Sequence, residues 1–240
     1  MGGRKKDKRV LGIIPARGGS KRIKDKNLIG LFGKPLIYHS IKAALESNIG
    51  RLIVSTDSEK IAGTADKYGC EVPFIRPAGL AKDNTPDQPV LAHALKYLEK
   101  KENYKPDIVV HLRPTTPLKT AKIIDRVINK ARTEDADIVK TVTEIIGEGH
   151  PYWCYRLDNK GKMKPFIDGV NMSEYYRRQT LPPVYRANGL VDAYKRDVVL
   201  NGNILECKNM TAVRTDSLVS VDIDTLEDLR YCEFLMQKAS

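Results

Sequence analysis

The chain has 240 residues, 41% of them hydrophobic, which suffices for the core of one large domain without disulfide staples. No apolar run approaches the roughly 20 residues needed to cross a bilayer, and no hydrophobic signal core follows the amino-terminal charges, so a cytoplasmic protein without a membrane partner is expected. The net charge of +11 raises nucleic acid as a partner, but no nucleic-acid module separates the basic islands, which suit a phosphorylated small molecule equally well.

Arg4, Lys5, Lys6, Lys8 and Arg9 form a basic run, and residues 1–9 are expected to be a disordered tail. Residues 10–14 read as a first buried strand. Pro35 opens a helix ending near residues 48–50, and residues 51–56 return as a strand. A helix over 58–68 stops at Gly69. Thr85-Pro86 introduces a longer helix carrying Val90, Leu91, Ala94, Leu95 and Leu98 on one face. Strands over 107–112 and 137–142 flank a helix striped by Ile123, Ile124, Val127, Ile128 and Ala131.

This alternation predicts an α/β fold with a mostly parallel, doubly wound, Rossmann-like sheet over residues 10–240. Residues 147–182 break the pattern with aromatic, Gly- and Pro-punctuated stretches that read as a hairpin-rich insertion. Order resumes as a strand over 218–223 and a helix over 225–237. Cys70, Cys154, Cys207 and Cys232 have no metal-ligand spacing and read as reduced thiols.

The first strand runs into Pro15-Ala16-Arg17-Gly18-Gly19-Ser20-Lys21-Arg22, followed by Lys24, Lys26 and Asn27. Neither GxxxxGK[ST] nor GxGxxG is present, which weakens ATPase and dehydrogenase readings. Adjacent glycines let backbone N–H groups approach an anion, and Arg17 and Lys21 add charge-assisted hydrogen bonds. A triphosphate-binding loop and a solvated basic loop both remain open on spacing alone. Asp222 and Asp224, one residue apart at a strand end, point to the same side and offer hard oxygen ligands to Mg²⁺. Alternatively, Asp224 caps the last helix together with Glu227. His39, His93 and His111 read as packing or surface residues, and Trp153, Tyr175 and Tyr176 as filling a core or an interface.

The opening loop, then Gly33-Lys34-Pro35-Leu36-Ile37, resembles CMP-sialic acid synthetases and related cytidylyltransferases. The resemblance continues through Val54-Ser55-Thr56-Asp57, Arg76-Pro77, Leu80-Ala81-Lys82-Asp83 and Arg113-Pro114-Thr115-Thr116-Pro117-Leu118-Lys119. Arg178-Gln179, Tyr185, Asn188-Gly189 and Asp222-Ile223-Asp224-Thr225 complete it, from residue 11 to about 233. It implies a nucleotidyltransferase that moves CMP from CTP to the anomeric hydroxyl of a sialic-acid-like acid sugar, with Mg²⁺, in a homodimer whose insertion reaches across its partner. Carried over residue by residue, it assigns Ala16, Arg17, Gly18, Gly19, Ser20, Lys21, Lys26, Asn27, Arg76 and Asp83 to the nucleotide. Arg17, Lys21, Asp222 and Asp224 become catalytic, the last two as metal ligands. Arg113, Thr115, Thr116, Arg178, Gln179, Tyr185, Asn188, Gly189 and Asp192 fall to the acceptor.

Three positions depart from the sialic acid pattern: Arg113 for glutamine, Asp192 for tyrosine or a similar residue, and Trp153 for a frequent lysine. A guanidinium in place of an amide favours pairing with a carboxylate or phosphate, and Asp192 is itself a possible partner for Arg113. The expected acceptor is therefore a relative of N-acetylneuraminic acid, such as a diamino-dideoxy nonulosonic acid. An eight-carbon acid sugar, a phosphonate, or nucleotide binding without turnover are the alternatives.

Overall fold

The computed structural model describes residues 6–239; residues 1–5 of the expected tail lie outside the described residues. Val10, Leu11, Ile13 and Ile14 are all buried, as an apolar run must be in a parallel strand covered on both faces. They form the centre of β1 (Asp7–Pro15). Its start at Asp7 corrects the expected tail: the Asp7 N–H donates to Asn48 O, Tyr104 Oη to Lys8 O, and Arg132 pairs with the Asp7 carboxylate.

In chain order follow β2 (Gly30–Leu31), β3 (Lys34–Pro35), α1 (Leu36–Leu45), β4 (Ile49–Ser55), α2 (Glu59–Lys67), α3 (Asp87–Glu102), β5 (Ile108–His111), α4 (Ala121–Thr133) and β6 (Ile138–Glu144). Then come β7 (Tyr155–Leu157), β8 (Met163–Pro165), β9 (Tyr185–Lys195), α5 (Arg196–Asn201), β10 (Met210–Arg214) and α6 (Leu226–Ala239). The main sheet has the order β10-β6-β9-β5-β1-β4. Pairings of β1 with β4 and β5, and of β6 with β10, are parallel; β9 alone runs against its neighbours β5 and β6. Apolar side chains of α1, α2 and α4 cover one face, and those of α3 and α5 the other. The expected mostly parallel, doubly wound α/β sheet is thus observed.

Two differences carry physical meaning. Residues 218–223 form no strand; a short 3₁₀ turn, Ser217–Val219, is followed by an irregular run. The edge beside β6 is already taken by β10, and the run is fixed instead by the Ile223 N–H on Thr115 O at 2.8 Å. Second, β9, which no apolar pattern in the sequence marked, contains Asn188-Gly189. Gly189 adopts φ +66° where the β6–β9 register shifts, so the dipeptide makes a bulge.

The insertion is a small body held by contacts among half-buried aromatic rings. His150 Nε2 lies 3.0 Å from Pro182 O and ties the two ends together; Trp153 Nε1 donates to Tyr175 O at 2.6 Å, and Tyr152 packs edge-on against Tyr175. The hairpin β7–β8 leaves Leu157, Met163 and Phe166 exposed.

A Cβ on Gly50 would stand 2.0 Å from Asp7 O. The obstacle is backbone, so Gly50→Ala must lift the start of β1. A loss of roughly 1–3 kcal/mol is expected in urea unfolding, and an unchanged midpoint would contradict this close approach.

Candidate functional site

The carboxyl ends of β1, β4 and β5 share one edge, where ligands of open α/β sheets bind. The loop after β1 is folded back onto that edge. Ala16 N–H donates to Ser55 O and Gly18 N–H to Asp57 Oδ1, both at 2.9 Å, and buried Asn27 donates through Nδ2 to Arg17 O. Gly18 is confined, since a Cβ there would come within 3.1 Å of Ser58 Cβ.

This anchoring points the loop's polar groups into a cleft of about 550 Å³, which Arg17, Ser20, Lys21, Arg22, Lys26 and Asn27 all line. Two carboxylates hold the four cations together. Arg17 and Lys21 both pair with Asp83, while Arg22 Nη1 and Lys26 Nζ reach Asp224 at 2.9 and 2.8 Å. Hydrogen bonds from Lys21 and then Arg17 hold the Asp83 carboxyl below the usual carboxylate range. Arg76 closes the floor: its Nη2 donates to Ser55 O at 2.8 Å, while buried Nε has no partner among the described residues. Burial lowers the Arg76 pKa.

Asp224 lines the cleft, whereas Asp222 is exposed on the irregular run. The expected strand end presenting both carboxylates together is therefore corrected. The expected cap is corrected as well: Thr225 and Asp228 bond reciprocally, and Asp228 Oδ2 also accepts the Asp224 N–H, so neither Asp224 nor Glu227 supplies the cap. The Asp224 side chain is left for the cleft. No group of three or more His, Cys, Asp or Glu gathers as a metal cage among the described residues.

Among the residues expected at the acceptor, Arg113 is fixed by two carboxylates. Its Nη2 donates to Asp87 Oδ2 and its Nη1 to Asp192 Oδ2, both at 2.8 Å. Burial opposes the guanidinium charge, yet Asp192 and then Asp87 raise its pKa. The loop carrying Arg113 and Thr115 is pinned beneath by Lys119, a buried ammonium bonded to Ser40 Oγ at 3.0 Å, Arg113 O at 2.7 Å and Thr116 O. Burial pulls Lys119 down to about 7, with Arg113 adding to the effect. Thr116 Oγ1 donates to Gly189 O at 3.1 Å, joining the loop to the β9 bulge.

The remaining acceptor candidates are not gathered here. Asn188 is buried in a hydroxyl cluster, its Nδ2 within hydrogen-bond distance of the Thr143, Thr215 and Ser220 hydroxyls. Tyr185 lies under the Arg214 guanidinium, while Arg178 and Gln179 are exposed at the end of the insertion. None of these four lines the cleft.

Asp87, His111 and Lys119 were not singled out in sequence as site residues. Asp87 reads there as a residue of a helix start, and His111 as a strand residue with no partner motif. His111 is buried at the cleft floor, its Nδ1 3.9 Å from Asp87 Oδ2. Burial pushes the imidazole down to about 4, with Arg113 adding to the push against Asp87 and Asp192. An unfolded histidine binds its proton near 6.5, so between pH 6.5 and 4 the unfolded state holds the extra proton and stability falls as the pH is lowered through that window. His111→Asn is expected to flatten the fall in urea midpoint across that window; an unaltered slope would contradict a buried neutral imidazole.

Comparison with known proteins places this geometry in context. A family model described as "Cytidylyltransferase" matches residues 11–240. A CMP-N,N'-diacetyllegionaminic acid synthase of Legionella pneumophila is 32% identical over 95% of this chain and 97% of its own. A pseudaminic acid cytidylyltransferase of Campylobacter jejuni is 31% identical over 93% of this chain and 94% of its own. A solved CMP:2-keto-3-deoxy-manno-octonic acid synthetase complexed with CTP superposes with TM-score 0.71 at 18% identity, covering 96% of this chain and 99% of that one.

Proposed function

The chain belongs to the cytidylyltransferase family, and we propose on that premise that it transfers CMP from CTP to the anomeric hydroxyl of a nonulosonic acid, releasing pyrophosphate. The observation that carries the reading is the ring of Arg17, Lys21, Arg22 and Lys26 around one cleft at the carboxyl edge of the sheet. Their counter-charges are two side chains, so a triphosphate exchanges one set of ion pairs for another. The pocket suits a small polyanion better than a polymer.

Attack of the acceptor hydroxyl on the α-phosphorus needs alignment and charge neutralisation more than a covalent nucleophile. Arg17 and Lys21 are assigned to the charge that develops on the transferred phosphoryl group and on leaving pyrophosphate. Asn27 and Gly18 act at one remove, holding the loop through Arg17 O and Asp57. The donor set fits Mg²⁺ held jointly with substrate phosphates, since that ion commonly takes one or two carboxylates. Asp224, the carboxylate of the pair that lines the cleft, would hold it, and the ion would neutralise phosphate charge.

Arg113 is spent on Asp87 and Asp192 and is not a free cation for the acceptor carboxylate. This departure from the sialic acid pattern, with similarity to legionaminic and pseudaminic acid enzymes, favours a diamino-dideoxy nonulosonic acid over N-acetylneuraminic acid. The exposed apolar residues of the insertion support a homodimer formed through it, which leaves Arg178 and Gln179 placed for the partner's acceptor. No described helix is long and apolar enough to cross a membrane, and a cytoplasmic protein is proposed.

Pyrophosphate release is expected with CTP and a diamino-dideoxy nonulosonic acid but not with ATP, GTP or UTP. Lys21→Met should lower kcat/KM about 100-fold or more; equal use of all four nucleotides, or full activity in the variant, would contradict the reading. In sedimentation, Leu157→Asp should convert a dimer to monomer, whereas a dimer that survives the charge would place the interface elsewhere.

A further inference from the structure

Two segments facing the cleft come from distant parts of the chain: residues 15–27 after β1, which carry the four cations, and residues 113–116 before α4, which present Arg113, Pro114 and Thr115. One peptide joins them. The Ile223 N–H donates to Thr115 O at 2.8 Å, and Ile223 O accepts from Lys26 Nζ at 3.0 Å, the same ammonium that reaches Asp224 Oδ1. The fully buried Ile223 side chain packs in one apolar cluster with Ile23 of the first segment, and Leu118, just past the second, lies against that cluster. The cations of the loop and the Thr115 wall therefore keep their separation through residue 223.

Lys119 fixes the far end of this link. Its ammonium is buried and donates to Ser40 Oγ of α1, to Arg113 O and to Thr116 O, which uses all three of its N–H donors. The two carbonyls bracket Pro114 and Thr115, so holding them orients the peptide whose oxygen meets Ile223. Burying an ammonium among neutral oxygens costs stability, and a methionine would fill the same slot without that cost. Stability alone therefore does not account for a lysine here.

The transfer reaction gives the link a use. The acceptor hydroxyl and the α-phosphorus must meet in line at about 3–3.5 Å, and a misplacement of about 1 Å costs on the order of 100-fold in rate. We propose that Lys119 is a positioning residue for this reaction: by holding the Arg113 and Thr116 carbonyls it keeps the Thr115 peptide on Ile223, and Ile223 sets the distance between the Thr115 wall and the cations of the loop after β1. That loop is anchored independently through Ala16, Gly18 and Asn27, so loss of Lys119 leaves the grip on the nucleotide intact and lets the opposite wall drift. The proposal rests on the transfer reading above and deepens it.

The test uses the full chain, with CTP affinity and the number of CTP sites per chain read by calorimetry and turnover read with a diamino-dideoxy nonulosonic acid. Lys119→Met, which keeps an unbranched side chain and removes its donors, should lower kcat about tenfold while CTP affinity stays within about twofold and the CTP sites per chain are unchanged. Lys119→Arg, which keeps charged donors, should return kcat to within about threefold of the unaltered chain. Ser40→Ala, the milder variant, removes one of the three acceptors and should lower kcat about threefold at unchanged CTP affinity. A kcat that falls in Lys119→Met and Ser40→Ala only as far as the CTP sites per chain fall would make Lys119 a structural residue, and an unchanged kcat in both would remove it from the reaction; either result overturns the proposal. So does a loss as large in Lys119→Arg as in Lys119→Met. Failure of the unaltered chain to turn over any nonulosonic acid would instead overturn the transfer reading, and this proposal with it.

Discussion

Four cations in one cleft repel each other, and the loop after β1 can keep its shape only if that repulsion is offset. Asp83 and Asp224 supply the offset from opposite flanks, one on the segment before α3 and the other just before α6. Chain segments distant in sequence therefore meet at the loop because it is charged. Each pair is exposed enough that its net worth is modest. A ligand with several negative oxygens can displace the carboxylates without the loop having to refold.

Beside the cleft, charge is handled differently. Arg113, Asp87, Asp192 and Tyr194 form a connected network at the junction of α3, β5 and β9. Removing one partner strands a charge, which costs far more than a surface pair. The network depends on β9, the antiparallel strand between β5 and β6. Its bulge at Gly189 turns a carbonyl towards both Thr116 and Arg113. Lys119 completes the support from below, so Arg113 and Thr115 stand at the cleft on a fixed platform.

The parts legible in sequence were those whose signal is local. Apolar runs and helix stripes gave β1, β4, α3 and α4 with boundaries a few residues off, and the Gly-Gly and Lys-Arg pattern marked the loop. β9 was hidden because Asn188-Gly189 and Asp192 interrupt its apolar pattern, and both are explained only by partners on other strands. β10 and the irregular run at 218–223 exchanged roles for the same reason, since edge position is decided by competition for β6. Asp87 and His111 carry no motif, and their place at the cleft is set by how α3 lies over the sheet. The pairing of Arg113 with Asp192 was legible because two unusual residues of opposite charge stood where the family pattern has neutral ones.

A loop after β1 that grips a triphosphate must prefer CTP to CMP. Calorimetric titration of the unaltered chain with CTP and, separately, with CMP at the same ionic strength measures that preference directly. If the four cations bind the β- and γ-phosphates, CTP binds at least about 100-fold more tightly and the gap narrows as salt is raised. Equal affinity for the two nucleotides, or a gap indifferent to salt, would contradict the account.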